Sequence, residues 1–287
     1  MNPGSKVDAA GAESGEGLVQ IAIADGVADV RLNRAEKMNA LNPGLFAALI
    51  AAGERLASEA DLRAVVLSGN GKAFCAGLDM QSMAALAQTT RTTPIAVRTR
   101  GLSNDFQYIC TLWRELPVPV IAAVHGVAFG GGLQLALGAD MRYVTPDARL
   151  SVMEMKWGLV PDMGGMVLTR DLVRDDRLRE LIYTARVVAG PEAVEIGLAT
   201  RVSDDPLALA LQTAREIAQK SPDAIRAAKR LLHVASRGDA AATLIAESVE
   251  QDALIGGANQ REAVLANVEQ RAPRFVAPTP HRVEELS

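Results

Sequence analysis

The sequence predicts an α/β fold followed by a helical C-terminal region, and three observations carry that reading. Residues 118–124, VPVIAAV, form an apolar run with the length and composition of a buried strand. The turn Phe129-Gly130-Gly131-Gly132 follows it, and the stretch 133–137 after the turn reads as helix. Beyond residue 206 apolar residues recur at helical spacing, first as Leu207, Ala210, Leu211, Ala214 and Ile217. A strand, a glycine turn and a helix start leave main-chain N–H groups bare at the positive end of a helix dipole, where negative charge is stabilised. Glycines without Cβ atoms let a ligand approach that main chain, and tight strand–helix packing would demand them equally.

In chain order, Val19, Ile21 and Ile23 alternate in a first strand, Asp25-Gly26 is a hairpin signal, and Ala28, Val30 and Leu32 continue the return strand. Residues 33–41 read as a polar loop. Asn42-Pro43 forms an N-cap and first-turn pair for a helix carrying Leu45, Phe46, Leu49, Ala52 and Leu56. RAVVLS, 63–68, reads as a third strand. The Thr-rich stretch 89–93 reads as loop. Ser221-Pro222 opens another helix, and a last one is expected near 261–270. These elements divide the chain into a tail over 1–16, a core over 17–203 and a helical region with its tail over 204–287.

Composition excludes several function classes. Hydrophobic residues make up 49% of the 287, enough for one large core, whereas aromatics are only 3%. A formal net charge of −4 without a basic stripe argues against nucleic acid as a partner. No apolar stretch approaches the roughly 18 residues of a membrane span. The opening MNPGSKVDAAGAESGE lacks the apolar centre of a signal peptide and reads as a disordered tail. Two cysteines, Cys75 and Cys110, give no disulfide framework, so a cytoplasmic setting is expected. His125, His233 and His281 have no metal-ligand spacing, and His125 reads as structural. Gly71-Lys72 does not make a phosphate loop, because Ala73 stands where Ser or Thr would bind magnesium.

KAFCAGLDM at 72–80 is a second small, glycine-containing exit from a strand, and another place where a main-chain N–H can face a ligand. Cys75 within it reads as a small buried hydrophobe, with no histidine close in sequence to activate it. Four stretches in order now resemble the crotonase superfamily, the enoyl-CoA hydratase/isomerase family: LNRAEKMNAL at 32–41, KAFCAGLDM at 72–80, AAVHGVAFGGGLQLALGADMRY at 122–143 and AVEIGLATRV at 193–202. The resemblance runs from about residue 18 to 275.

The resemblance implies a crotonase (ClpP-like) spiral of ββα units, with a C-terminal helical region used in a homotrimer or a dimer of trimers. It implies an acyl-CoA thioester substrate, so that coenzyme A belongs to the substrate and no metal or other cofactor is needed. By motif match, the backbone N–H groups of Leu78 and Gly131 would form an oxyanion hole, and the Ala76 carbonyl would meet the adenine amino group. Arg274, Phe275 and Lys37 are candidates for holding the CoA phosphates and adenine. Met80, Met83, Trp113 and Trp157 are candidates for the acyl pocket, with Leu86, Phe106, Tyr108 and Met163 beside them.

The sequence departs from the hydratase pattern at one of two glutamates. Gln134 stands two residues after the triple glycine, where hydratases carry the first, and Glu154 in SVMEMKWGLVPDMGG, 151–165, matches the second. Glutamine can hold a water but cannot take its proton at neutral pH. Asp162 stands eight residues beyond Glu154, where hydratases usually have glycine. Dienoyl-CoA isomerases resemble the chain in having aspartate there, but they also carry one at the position of Gln134. Gly158 and Pro161 allow the two acids to meet in one pocket, where their pKa values would split; the alternative for Asp162 is a turn or N-cap residue before Gly164-Gly165. The expectation is double-bond isomerisation rather than hydration, with Glu154 as proton carrier. Hydration, other crotonase reactions such as thioester hydrolysis or dienoyl-CoA isomerisation, and a non-catalytic acyl-CoA binder stay as alternatives.

Overall fold

Asp25 and Gly26 both take positive φ, 51° and 75°, as a tight turn matched to the twist of a two-stranded ribbon requires. The turn joins β1 (Val19–Ala24) to β2 (Val27–Leu32) in antiparallel register, with Ala24 opposite Val27 and Val19 opposite Leu32. The alternation reads through to burial on β2, where Ala28, Val30 and Leu32 are enclosed. The computed structural model describes residues 17–79, 81–82 and 94–279. The tail over 1–16, the stretch 89–93, Met80, Met83, Leu86 and His281 lie outside the described residues.

Asn42 caps α1 (Pro43–Ala57) as its sequence predicts, accepting from the Leu45 N–H at 2.8 Å. Asn42→Ala is expected to lower stability by about 1 kcal/mol, measured as a fall in the urea midpoint at unchanged slope. β3 (Ala64–Gly69) then runs parallel to β2. α2 (Asp105–Glu115) begins with a capping box between Asn104 and Gln107. Its apolar face turns Ile109, Cys110, Leu112 and Trp113 inward. Trp113 therefore belongs to the core rather than the acyl pocket: it is fully enclosed, and its indole N–H donates to the Ile109 carbonyl at 2.9 Å. β4 (Val120–Val124) extends the parallel sheet, and β5 (Val127–Phe129) leaves it and leads into α3 (Gly131–Leu137).

β6 (Met141–Val144) returns to the first sheet beside β4. β7 (Arg149–Ser151) pairs with β5 and is followed by a 3-10 turn, Glu154–Trp157. α4 (Gly165–Thr169), α5 (Asp175–Thr184), β8 (Val188–Ala189) and α6 (Gly190–Glu195) follow. β9 (Arg201–Val202) closes a six-stranded sheet of order β1-β2-β3-β4-β6-β9, parallel after the first hairpin, while β5, β7 and β8 form a second sheet. Central strands are buried on both faces, as parallel sheets require. Val65 and Leu67 of β3 join the main core, and Ala64 and Val66 join a smaller one with Ile121, Ala123 and Tyr143.

α7 (Pro206–Ala218) lays Ala210 and Ala214 on that smaller core. α8 (Pro222–Ala235), α9 (Ala240–Leu254) and α10 (Ala258–Val268) complete the helical region. Ser221 caps α8 through the Ala224 N–H. Residues 271–279 run back toward the start of β3: the Val276 N–H donates to Asn259 Oδ1 at 2.9 Å, and Arg63 donates to the Val276 carbonyl at 3.4 Å. Among the described residues no helix is long and apolar enough to cross a membrane.

Candidate active site

The glycine turn answers to two separate demands. A Cβ on Gly132 would overlap the main chain of Cys75, so packing of α3 against the 72–79 loop alone requires that glycine. Gly130 holds φ 49° and ψ −120°, a conformation open to glycine and strained for other residues. A Cβ on Gly131 would meet Met163 Sδ at 2.7 Å and Leu41 Cδ1 at 3.1 Å, so these two side chains roof the start of α3.

The second loop lies directly against this turn. Gly77 has φ 88°, and a Cβ there would lie 2.6 Å from the Phe129 carbonyl and 3.8 Å from the Gly131 nitrogen. The Leu41 N–H donates to the Gly77 carbonyl at 2.7 Å, and the Asp79 N–H donates to the Leu41 carbonyl at 3.0 Å. These two bonds flank Leu78. Neither the Leu78 N–H nor the Gly131 N–H has a hydrogen-bond partner among the described residues. Two main-chain donors from neighbouring loops are thus left available for an acceptor.

A buried polar network that local sequence does not announce fixes the Leu78 loop. Arg34 pairs with Asp79 at 2.7 Å, both nearly enclosed, and also donates to the Ala40 carbonyl. Asn39 accepts from the Arg34 N–H and donates to the carbonyls of Asn70 and Ala73. Burial pushes the Asp79 carboxyl upward, but the Arg34 guanidinium and the N–H groups of Ser82 and Gln81 outweigh it and hold it below its ordinary value.

Glu154 opens the 3-10 turn and is only 8% exposed. Its carboxylate sits beside the glycine turn, since a Cβ on Gly130 would lie 3.4 Å from Oε1. Oε1 accepts from Gln134 Nε2 at 2.6 Å, and Oε2 is buried without a partner among the described residues. Burial raises the Glu154 pKa and the Asp162 charge raises it further, against the opposing Gln134 amide and nearby main-chain N–H groups. Gln134 is itself buried, and its Oε1 accepts from the N–H groups of Met163 and Gly165, both at 2.9 Å. Main-chain N–H groups can only donate, so this fixes which end of the amide faces Glu154.

Asp162 lies exposed on the turn before α4, close enough for its charge to act on Glu154. It does not cap α4; Gly164, at φ 88°, holds that position. Cys75 is fully enclosed, and burial pushes its thiol up to about 12, which suits a packing residue rather than a nucleophile. His125 makes a 3.0 Å hydrogen bond with the Gly71 carbonyl.

The other sequence-derived candidates fall in three places. Trp157 is half-exposed on the turn that carries Glu154, with Lys156 over its ring. Ala76 donates its N–H to the Met38 carbonyl, and exposed Lys37 ends the 3-10 turn Ala35–Lys37 nearby. Arg274 and Phe275 lie elsewhere, in the tail held at the start of β3, whereas Ala76 and Leu78 follow its end. Within one chain they do not join the other candidates. A buried carboxylate with a raised pKa at the glycine turn, together with two N–H donors unpartnered among the described residues, can remove a proton and hold the charge that results.

Residues 22–278 match the family described as Enoyl-CoA hydratase/isomerase. Over 210 residues the chain is 37% identical to the mitochondrial Delta(3,5)-Delta(2,4)-dienoyl-CoA isomerase of Mus musculus, a match covering 71% of this chain and 64% of that relative. Over 257 residues it is 32% identical to the mitochondrial methylglutaconyl-CoA hydratase of the same organism, covering 87% and 79%. The crystal structure of an enoyl-CoA hydratase from Bacillus anthracis superposes with a TM-score of 0.82 at 29% identity, covering 90% of this chain and 98% of that one.

Proposed function

The chain belongs to the enoyl-CoA hydratase/isomerase family, and we propose that it moves a double bond along an acyl-CoA thioester, with Glu154 carrying the proton. The observation that carries this reading is the state of Gln134. The amide stands where a hydratase has its other glutamate, cannot take a proton from water, and already spends its oxygen on two N–H donors. One buried carboxylate, beside the glycine turn, is therefore left as the base.

With a 3-enoyl thioester, Glu154 takes a proton from C2. The C–H electron pair moves toward the carbonyl, and the charge of the resulting dienolate rests on the thioester oxygen. The Leu78 and Gly131 N–H groups hold that oxygen, each contributing about 3–4 kcal/mol. Glu154 then returns the proton at C4, leaving the double bond between C2 and C3 and the carboxylate ionised again. Hydration would need a second base to activate water at C3.

Expected on crotonyl-CoA and a medium-length 3-enoyl-CoA, assayed separately, is migration that outpaces hydration. Hydration of crotonyl-CoA that survives Glu154→Gln would overturn the reading. A 3,5-dienoyl-CoA belongs in the same assay, because Asp162 acts on Glu154 and could serve as a second acid for a longer proton shift. CoA ester bound without turnover would indicate the non-catalytic binder.

The pH dependence has a definite sign. Glu154 must be ionised to act, so kcat/KM should fall as pH drops through its raised pKa, with the acid limb above the ordinary glutamate value of about 4.3. The folded state holds this proton more tightly than the unfolded chain. Its contribution to stability therefore declines as pH rises from the unfolded value through the folded one. A pH–rate profile and a pH series of melting curves check both.

In this reading the Ala76 carbonyl meets adenine and Lys37 a phosphate. Arg274 and Phe275 would reach the cofactor portion of the substrate across a subunit boundary of a homotrimer or dimer of trimers. Exposed apolar side chains on the C-terminal helices, including Leu232, Leu244, Ile245 and Val249, support such an assembly. Sedimentation of the purified protein tests it.

A further inference from the structure

We infer that Gln134 is a positioning residue: its amide binds Glu154 to the 162–165 turn as one rigid unit and so places the base for the proton shift. The inference rests on the isomerase reading for its consequence, but its geometry stands apart from it. Three bonds meet on one side chain that is nearly wholly buried: Nε2 to Glu154 Oε1 at 2.6 Å, and Oε1 from the Met163 and Gly165 N–H groups at 2.9 Å. The fit leaves no slack, because a Cβ on Gly165 would fall 2.7 Å from Gln134 Oε1.

Two consequences follow from this wiring. Met163, whose main chain Gln134 holds, also roofs Gly131, so one amide ties the base and the cover over an N–H donor to the same point. Second, the amide is a neutral donor to Glu154, which favours the ionised base without adding a competing charge. The titratable groups that act on or with Glu154 from the elements around it are Asp162 on the turn and Cys110 on α2. Asp162 opposes the ionised base, and Cys110 stays a thiol because burial raises its pKa. Gln134 is thus the neutral group that counters burial and Asp162.

Two variants separate the halves of the strut. Gln134→Met keeps the volume and removes all three bonds. Gln134→Glu can still accept from Met163 and Gly165 but, when ionised, faces Glu154 with a like charge. Carbon-13 NMR titration of Glu154 in the full-length protein reads the strut whether or not any substrate turns over. In both variants Glu154 should titrate at higher pH than in the parent. In Gln134→Met, kcat for migration should fall about tenfold or more with KM little changed, as a displaced base predicts. The acid limb of the rate profile should move up with the NMR titration.

An unchanged Glu154 titration in Gln134→Met, or in Gln134→Glu should the first variant not fold, overturns the inference and makes the amide a core filler. A shifted titration with KM rising and kcat unchanged overturns it too, since the base would then still be in place. Absence of migration in the parent defeats the isomerase reading, and the titration still decides the strut.

Discussion

Glu154→Gln should lower kcat for double-bond migration by about 10²–10⁴-fold, while the protein folds at least as stably as the parent at neutral pH. The first half follows from Glu154 being the buried carboxylate beside the glycine turn that carries the Gly131 donor. The second follows from its environment. Burial and Asp162 both disfavour its charge, so an uncharged amide removes a strain that the ionised acid imposes. The amide oxygen can still accept from Gln134 Nε2. Melting curves and turnover on one preparation check both, and a variant that lost stability along with activity would show Glu154 to be a structural ion.

Asp79→Ala should destabilise the protein by about 3–5 kcal/mol, the usual result of removing one partner of a buried ion pair. Arg34 would keep its guanidinium nearly enclosed while losing its 2.7 Å partner, and the Gln81 and Ser82 N–H groups would lose their acceptor. Activity should fall as well, because Asp79 directly follows Leu78 and fixes its loop. Denaturant unfolding measures the first effect, and turnover of the folded fraction the second. Acid should act in the same direction as the substitution. The Asp79 pKa is lower in the folded state, so its contribution is full above the unfolded value and lost as pH falls through the folded one.

Short-range signals in the sequence translate directly into structure. Asp25-Gly26 makes the hairpin turn, and Asn42-Pro43 and Ser221-Pro222 start helices. In each case one side chain or one backbone preference decides the matter locally. The apolar run 118–124 marks a central strand because both its faces are buried, although the strand itself spans only Val120–Val124. The split of β5, β7 and β8 into a second sheet is not readable, since two- and three-residue strands carry too little periodicity.

The site divides in the same way. Gly131 and Leu78 lie in glycine-rich loops whose chemistry is local, whereas Glu154 is marked only by the resemblance of 151–165 to the family motif. Arg34 and Asp79 lie 45 positions apart, and nothing in either neighbourhood announces the pair. Gln134 was readable as a missing acid, but not as a three-way strut, because Glu154, Met163 and Gly165 reach it only through the fold. Trp113 misled for a related reason: an aromatic in a region expected to cover the acyl chain can equally face the core, and the amphipathic pattern of α2 decided it.

The central claim, one carboxylate moving one proton, is tested most directly with a 3-enoyl-CoA dideuterated at C2. Mass spectrometry of the product locates the label. The account predicts a 2-enoyl-CoA that carries deuterium at C4, transferred by Glu154 within a buried site, and loss of this product in Glu154→Gln. A 3-hydroxyacyl-CoA, or a 2-enoyl-CoA whose new C4 hydrogen comes wholly from solvent, would contradict it.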